Sequence, residues 1–127
     1  MRTAVAIFMM LHGIAHLPGF VVPWRIATFK DTPYKTTLLA GRIDVGDVGI
    51  RIIGVLWLIV AIAFVVAGIA MIADTEWWGA MAGCVALISL VLSLLSLPEA
   101  RIGVAVNIAI LALLTVPGAA IGSYFLE

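Results

Sequence analysis

The chain has 127 residues, of which 65% are hydrophobic and 11% are charged, and its net charge at pH 7 is zero. Soluble domains carry about 25% charged residues, so this composition excludes a soluble globular protein and indicates a protein of the lipid bilayer. No segment gathers enough Lys and Arg to neutralise several phosphates, which excludes nucleic acid as a partner.

Four stretches of the chain are long and apolar enough to cross a bilayer, which takes roughly 20 residues of helix. They cover residues 3–22, 50–73, 77–97 and 102–125, and they leave no room for a soluble domain. The second and third links are so short that consecutive helices must pack antiparallel. The sequence therefore predicts an all-α fold, with residues 1–127 forming one transmembrane domain, an up-down four-helix bundle.

The first span carries the most unusual residues, in the segment LHGIAHLPGF at positions 11–20. Its two histidines, His12 and His16, are four residues apart and share one helix face. An ionisable side chain at membrane depth is costly and indicates a functional site. Pro18 frees the carbonyl of Ile14, so we expect the end of this helix to loosen, as backbone beside a pocket can do.

Three interpretations of the histidine pair stay open. The first is structural, with the imidazoles hydrogen-bonded to the serines of the third span or to Asn107. The second is a site for zinc or another divalent metal, since histidines at i and i+4 can bind one ion. Its third ligand would come from Asp44, Asp47 or Glu99. The third is haem or quinone, although two histidines one turn apart cannot clamp one haem from opposite faces.

The first link, residues 23–49, is too long for a tight turn and holds most of the polar residues. Residues 36–45 form a short amphipathic stretch in the sequence. We expect this stretch to lie along the membrane interface, with Leu38, Leu39 and Ile43 in lipid.

Basic residues concentrate on one side of the predicted bundle, in the first link, Arg51 and Arg101, against Arg2 on the other side. The positive-inside rule then places both termini outside the cytoplasm. Because Arg2 lies beside the first helix, which often dominates insertion, the opposite orientation stays open. Asp47 and Arg51 have the spacing of a helical ion pair at the start of the second span.

Small side chains recur along one face of the second and third spans, every seven residues in the former and at steps of three and four in the latter. In lipid, helices associate through close backbone approach and hydroxyl hydrogen bonds. Both stripes therefore predict helix-packing faces. The residues are Gly54, Ala61 and Gly68, followed by Gly79, Ala82, Ala86, Ser89, Ser93 and Ser96.

Three segments, HGIAHLPGF at 12–20, LLAGRIDVGD at 38–47 and GVLWL at 54–58, resemble a group of small four-span bacterial proteins, notably actinobacterial ones. The resemblance covers most of the chain and implies the bacterial plasma membrane. Some members carry the label ABC transporter permease, but this chain is too short for a usual permease half and has no evident coupling-helix motif. Its size and hydropathy are also similar to DoxX-like four-helix membrane proteins. Neither resemblance supplies catalytic residues.

The sequence leaves open whether the protein is an enzyme, because it shows no activated nucleophile and no cofactor fingerprint. The primary hypothesis is a non-enzymatic membrane protein. It would bind a second copy of itself or another membrane protein through the small-residue stripes and the first link. The alternative is an intramembrane metal or small-ligand site, in an enzyme or a transport element, with His12 and His16 assisted by Asp44 or Asp47.

Overall fold

A computed structural model describes residues 2–115, and most of them are helical. The elements in chain order are α1 (Arg2–Ala15), α2 (Pro18–Val21), β1 (Thr37–Leu38), β2 (Ile43–Asp44), α3 (Gly46–Ile72), α4 (Trp78–Leu95) and α5 (Arg101–Thr115). The predicted all-α fold is confirmed, with one small β-hairpin added in the first link.

Three helical segments are long and apolar enough to cross a membrane: Arg2–Val21, Gly46–Ile72 and Trp78–Leu95. They agree with the first three predicted spans to within a few residues at each end. Helix α5 is also apolar and has 15 residues. The rest of the predicted fourth span, 116–125, lies outside the described residues.

The first of these segments is interrupted between α1 and α2, just before Pro18. The N–H of Leu17 donates to the carbonyl of Ile14 at 3.0 Å, so a tighter turn satisfies the carbonyl that the proline frees. Gly19 then approaches α3 so closely that a Cβ at this position would lie 2.6 Å from Cγ of Trp57. The interruption therefore brings the backbone directly against an indole ring.

Residues 37–44 of the first link form a hairpin. Of the side chains expected in lipid, Ile43 is exposed, but Leu38 is not. Strands β1 and β2 pair antiparallel, and Leu38, expected in lipid, is 7% exposed. The turn between the strands takes the left-handed backbone conformation at Leu39, Ala40 and Gly41. Glycine adopts this conformation without strain, and its presence here explains why the segment folds back on itself. The N–H of Leu39 donates to the carbonyl of Leu95 at 2.8 Å, which ties the hairpin to the end of α4.

Helix α1 packs antiparallel into the small-residue groove of α3. A Cβ on Gly13 would lie 2.8 Å from the carbonyl oxygen of Ala61, and a Cβ on Gly68 would lie 2.9 Å from that of Ala6. Such close backbone approach is what small residues at helix interfaces permit. At the far end of the groove, Gly54 is covered by residues 23–24. The α3 stripe is therefore occupied inside the chain.

Helix α4 packs against both α3 and α5, and its small-residue stripe faces inward. Ser96 continues the stripe to the wall of a cavity, whereas Gly79 has no described atom within 4 Å of an added Cβ. Four stripe residues are fully buried: Ala82, Ala86, Ser89 and Ser93.

Candidate functional site

A continuous chain of hydrogen bonds joins three helices in the interior of the bundle. His12 Nε2 lies 3.2 Å from Oδ1 of Asn107, whose Nδ2 donates to Oγ of Ser89 at 2.8 Å. Oγ of Ser89 in turn lies 2.9 Å from Nε2 of His16. We call these four residues the polar chain. The histidine pair is therefore hydrogen-bonded to polar side chains of the neighbouring helices, as the structural interpretation of the sequence predicts.

The polar chain is held in place by burial and by aromatic rings. Asn107 and Ser89 are fully buried, and the two imidazoles are less than a tenth exposed. The imidazole centroids are 4.4 Å apart, and that of His12 lies 4.9 Å from the ring of Phe64. The ring of His16 lies 4.8 Å from Trp57, also on α3. With one side packed on α3 and the other hydrogen-bonded to α4 and α5, neither ring is free to rotate.

A cavity of about 290 Å³ opens beside His16. Its walls come from α1, α2, the first link and the facing parts of α3, α4 and α5. Apolar side chains form most of its surface, and its polar lining includes both histidines and Ser93 as well as Lys35 and Glu99. The lining residues that matter below are His16, Leu38, Ile50, Trp57, Ser93 and Ser96.

A partly exposed ion pair forms part of the cavity wall, and we call this side of the cavity its mouth. Nζ of Lys35, in the first link, lies 2.7 Å from Oε1 of Glu99, in the link between α4 and α5. Burial raises the pKa of Glu99, but the hydrogen bond and charge of Lys35 outweigh it and leave that pKa below the ordinary value of 4.5. The paired charges cancel, so the mouth presents no net charge to an entering molecule.

The carboxylates proposed as a third metal ligand are engaged elsewhere. Asp44 accepts hydrogen bonds from the N–H of Gly46 and from Oγ1 of Thr36, both at 2.9 Å. These bonds lower the pKa of Asp44 from its ordinary value. Among residues 2–115, no group of three or more His, Cys, Asp and Glu side chains is placed to hold a metal ion. The structure therefore brings together His12 and His16 but adds no carboxylate to them.

Asp47 forms a different ion pair from the one its spacing predicts. Its carboxylate lies 3.4 Å from the guanidinium of Arg25 and accepts a hydrogen bond from the hydroxyl of Tyr34. Arg51 instead lies over the ring of Trp24. Asp47 thus fastens the first link to the start of α3, outside the cavity.

Three residues of the site could not be found from the sequence pattern. Trp57 lines the cavity because α2 packs against α3, and Lys35 lines it because the first link folds over the bundle. The spacing of residues within one element encodes neither arrangement. Gly103 lies where a Cβ would be 2.9 Å from Oγ of Ser93 and 3.8 Å from Cε1 of His16. A glycine near the start of an apolar helix is the one signal that would have pointed to this close approach.

A comparison of the chain with family models, with curated proteins and with solved structures finds no match. The resemblance to small four-span bacterial proteins therefore stays a prediction.

Proposed function

We propose that this chain is a multi-pass protein of the bacterial plasma membrane that binds a small, largely apolar molecule inside its helix bundle. The cavity beside His16 is the observation that carries this proposal.

The distribution of side chains supports the membrane location. In each of the three long apolar segments, fewer than half of the residues are buried. Large apolar side chains cover the outside of α3 and α4, among them Ile59, Ile62, Leu87 and Val91. The polar chain lies inside. This arrangement, apolar outside and polar within, is the one that lipid requires.

The charge distribution supports one orientation. Because α1 and α3 are antiparallel, the first link lies at one end of the bundle and Arg2, paired with Asp74, lies at the other. The link end carries Arg25, Lys30, Lys35, Arg42, Arg51 and Arg101. By the positive-inside rule, we propose that the link end, with the mouth of the cavity, faces the cytoplasm.

The shape and lining of the cavity favour a small-molecule site. Binding pockets for small molecules are concave and mostly apolar, with a few polar groups that fix orientation, and their volumes begin at about 300 Å³. Leu38, Ile50 and Trp57 supply the apolar wall, each less than a tenth exposed. His16 and Ser93 supply polar groups of the lining. The volume of the cavity, about 290 Å³, thus lies at the lower end of the range for small-molecule sites.

The alternative of partner binding through the small-residue stripes receives less support. Gly54, Ala61 and Gly68 are covered by α1 and the first link, and the inward residues of the α4 stripe are buried. Faces already occupied within one chain are not available to a second one. The cavity beside the histidines is what packing leaves unfilled.

Binding of 4-bromoethylbenzene, measured by quenching of tryptophan fluorescence in detergent, tests the proposal. Bromine quenches an indole on contact, and Trp57 is the tryptophan that lines the cavity. We expect saturable quenching in the wild type. It should be absent from the Ser96→Leu variant, whose added carbons occupy the cavity, and from the Trp57→Phe variant. Because partitioning into the detergent is the same for all three proteins, identical unsaturable quenching in each would contradict the proposal.

A further inference from the structure

The hydrogen bonds of the polar chain all donate in one direction, and this direction determines whether His16 presents a donor or an acceptor to the cavity. With the amide of Asn107 oriented as in the structure, Oδ1 accepts from His12, so Nε2 of His12 carries a proton. Nδ2 donates to Ser89. The hydroxyl of Ser89 is fully buried, and its acceptor among the described residues is Nε2 of His16. The chain therefore runs from His12 through Asn107 and Ser89 to His16.

A neutral imidazole carries one proton, on whichever nitrogen is not accepting. Since Nε2 of His16 accepts from Ser89, the proton of His16 is on Nδ1. No hydrogen bond to this atom occurs within residues 2–115. In the same part of the chain, no side-chain nitrogen or oxygen is both buried and without a partner. Nδ1 is therefore in contact with open space, and the open space beside His16 is the cavity.

We propose that the molecule bound in the cavity is neutral and carries a hydrogen-bond-accepting oxygen, such as a carbonyl, which receives the Nδ1–H of His16. This inference rests on the proposed function and adds the chemical class of the ligand. The apolar wall around Trp57 selects the body of the molecule, and the donor on His16 selects its polar end. The neutral ion pair at the mouth provides no unpaired charge for an ionic ligand.

The first test reads the proton positions directly. In protein labelled with ¹⁵N in its histidine rings, we expect His16 to be protonated on Nδ1 and His12 on Nε2. Protonation of His16 on Nε2 would mean that the chain runs in the opposite direction, and this result would overturn the inference.

The second test compares three probes of similar shape by quenching of Trp57. These are 4-bromoacetophenone, which carries an acceptor, 4-bromoethylbenzene, which carries neither donor nor acceptor, and 4-bromophenol, which carries a donor. One net hydrogen bond should make the ketone bind about fivefold more tightly than the hydrocarbon. In the Ser89→Ala variant, Nε2 of His16 loses its donor and the proton is free to move. We expect the ratio of ketone affinity to hydrocarbon affinity to fall towards one in this variant.

The outcomes separate the two proposals. Saturable binding of the ketone and the hydrocarbon with equal affinity overturns the acceptor class and leaves the proposed function standing. Tightest binding of the phenol also overturns it, because the phenol oxygen is a weaker acceptor than the ketone oxygen and its advantage would come from the proton it donates. Saturable quenching by none of the three probes contradicts the proposed function itself.

Discussion

The two halves of α1 meet the rest of the bundle in different ways. From Ala6 to Met10, the helix lies in the groove of α3 so closely that backbone and side-chain atoms leave no space around Gly68. Farther along, His12 in α1 and His16 just after it join the polar chain, and a cavity lies beside His16. Gly13, in the second half, approaches α3 as closely as the first half approaches Gly68. Backbone contact with α3 along both halves therefore fixes the helix, and only the second half also places polar side chains beside unfilled space.

Replacing Ser89 and Ser93 together by leucine should reduce the stability of the protein most, because Ser89 belongs to the polar chain and Ser93 lies beside it. Both serines are fully buried, so the added carbons overpack the interior. Asn107 and His16 also lose hydrogen-bond partners. We expect a loss of about 4 kcal/mol in the free energy of unfolding by combining the two costs. Denaturation in detergent measures the free energy of unfolding, with Val91→Leu at an exposed position as control. An unchanged midpoint would contradict the packing of the serine face of α4 in the interior.

Replacing Asn107 by leucine should cost about 2 kcal/mol, since it leaves buried polar groups on both of its neighbours unpaired. Adding His12→Leu removes one of those orphaned groups. The double variant should therefore be less destabilised than the sum of the two single variants. A strictly additive result in the same denaturation assay would mean that His12 and Asn107 do not interact.

The close packing of the first half can be tested with one methyl group. In Gly68→Ala, the new Cβ would meet the carbonyl oxygen of Ala6 at 2.9 Å, and a backbone atom cannot move aside cheaply. We expect a loss of about 1 kcal/mol. Gly83→Ala is the matched control, because its Cβ would lie 3.9 Å from Leu114, an ordinary contact. If the two variants have equal stability, the first half of α1 is not packed closely against α3.

Loss of the ion pair between Lys35 and Glu99 should change the stability of the protein least. Since the pKa of Glu99 is lower in the folded protein, its contribution to stability is complete above pH 4.5 and is lost as the pH falls through the lowered pKa. The pair is partly exposed, so we expect at most about 1 kcal/mol. Lys35→Ala should remove that part of the acid dependence. Parallel pH profiles of stability for the wild type and Lys35→Ala would contradict it.

The sequence predicted the helices and the inward face of α4, because helical periodicity encodes both. It offered the hydrogen bonding of the histidine pair as one of three interpretations. Ser89 and Asn107 were identifiable as partners, since a polar side chain in an apolar helix must find another one. The hairpin at residues 37–44 could not be predicted, because the same apolar residues suit either an amphipathic stretch or a pair of short strands.

The cavity could not be predicted, because unfilled space depends on how side chains distant in sequence fit together. Trp57 and Lys35 come to His16 from α3 and from the first link. Nothing in their local sequence marks either one. The ion pair of Asp47 could not be predicted for the same reason. Its partner, Arg25, is distant in sequence, whereas helical spacing favoured Arg51.

The most direct test of the account is to locate 4-bromoethylbenzene in crystals of the protein by the anomalous scattering of its bromine. We expect a bromine peak inside the cavity, in contact with Trp57 and close to His16, and no such peak in crystals of the Ser96→Leu variant. Bromine found only on the outer surfaces of the helices, with the cavity empty in the wild type, would contradict it.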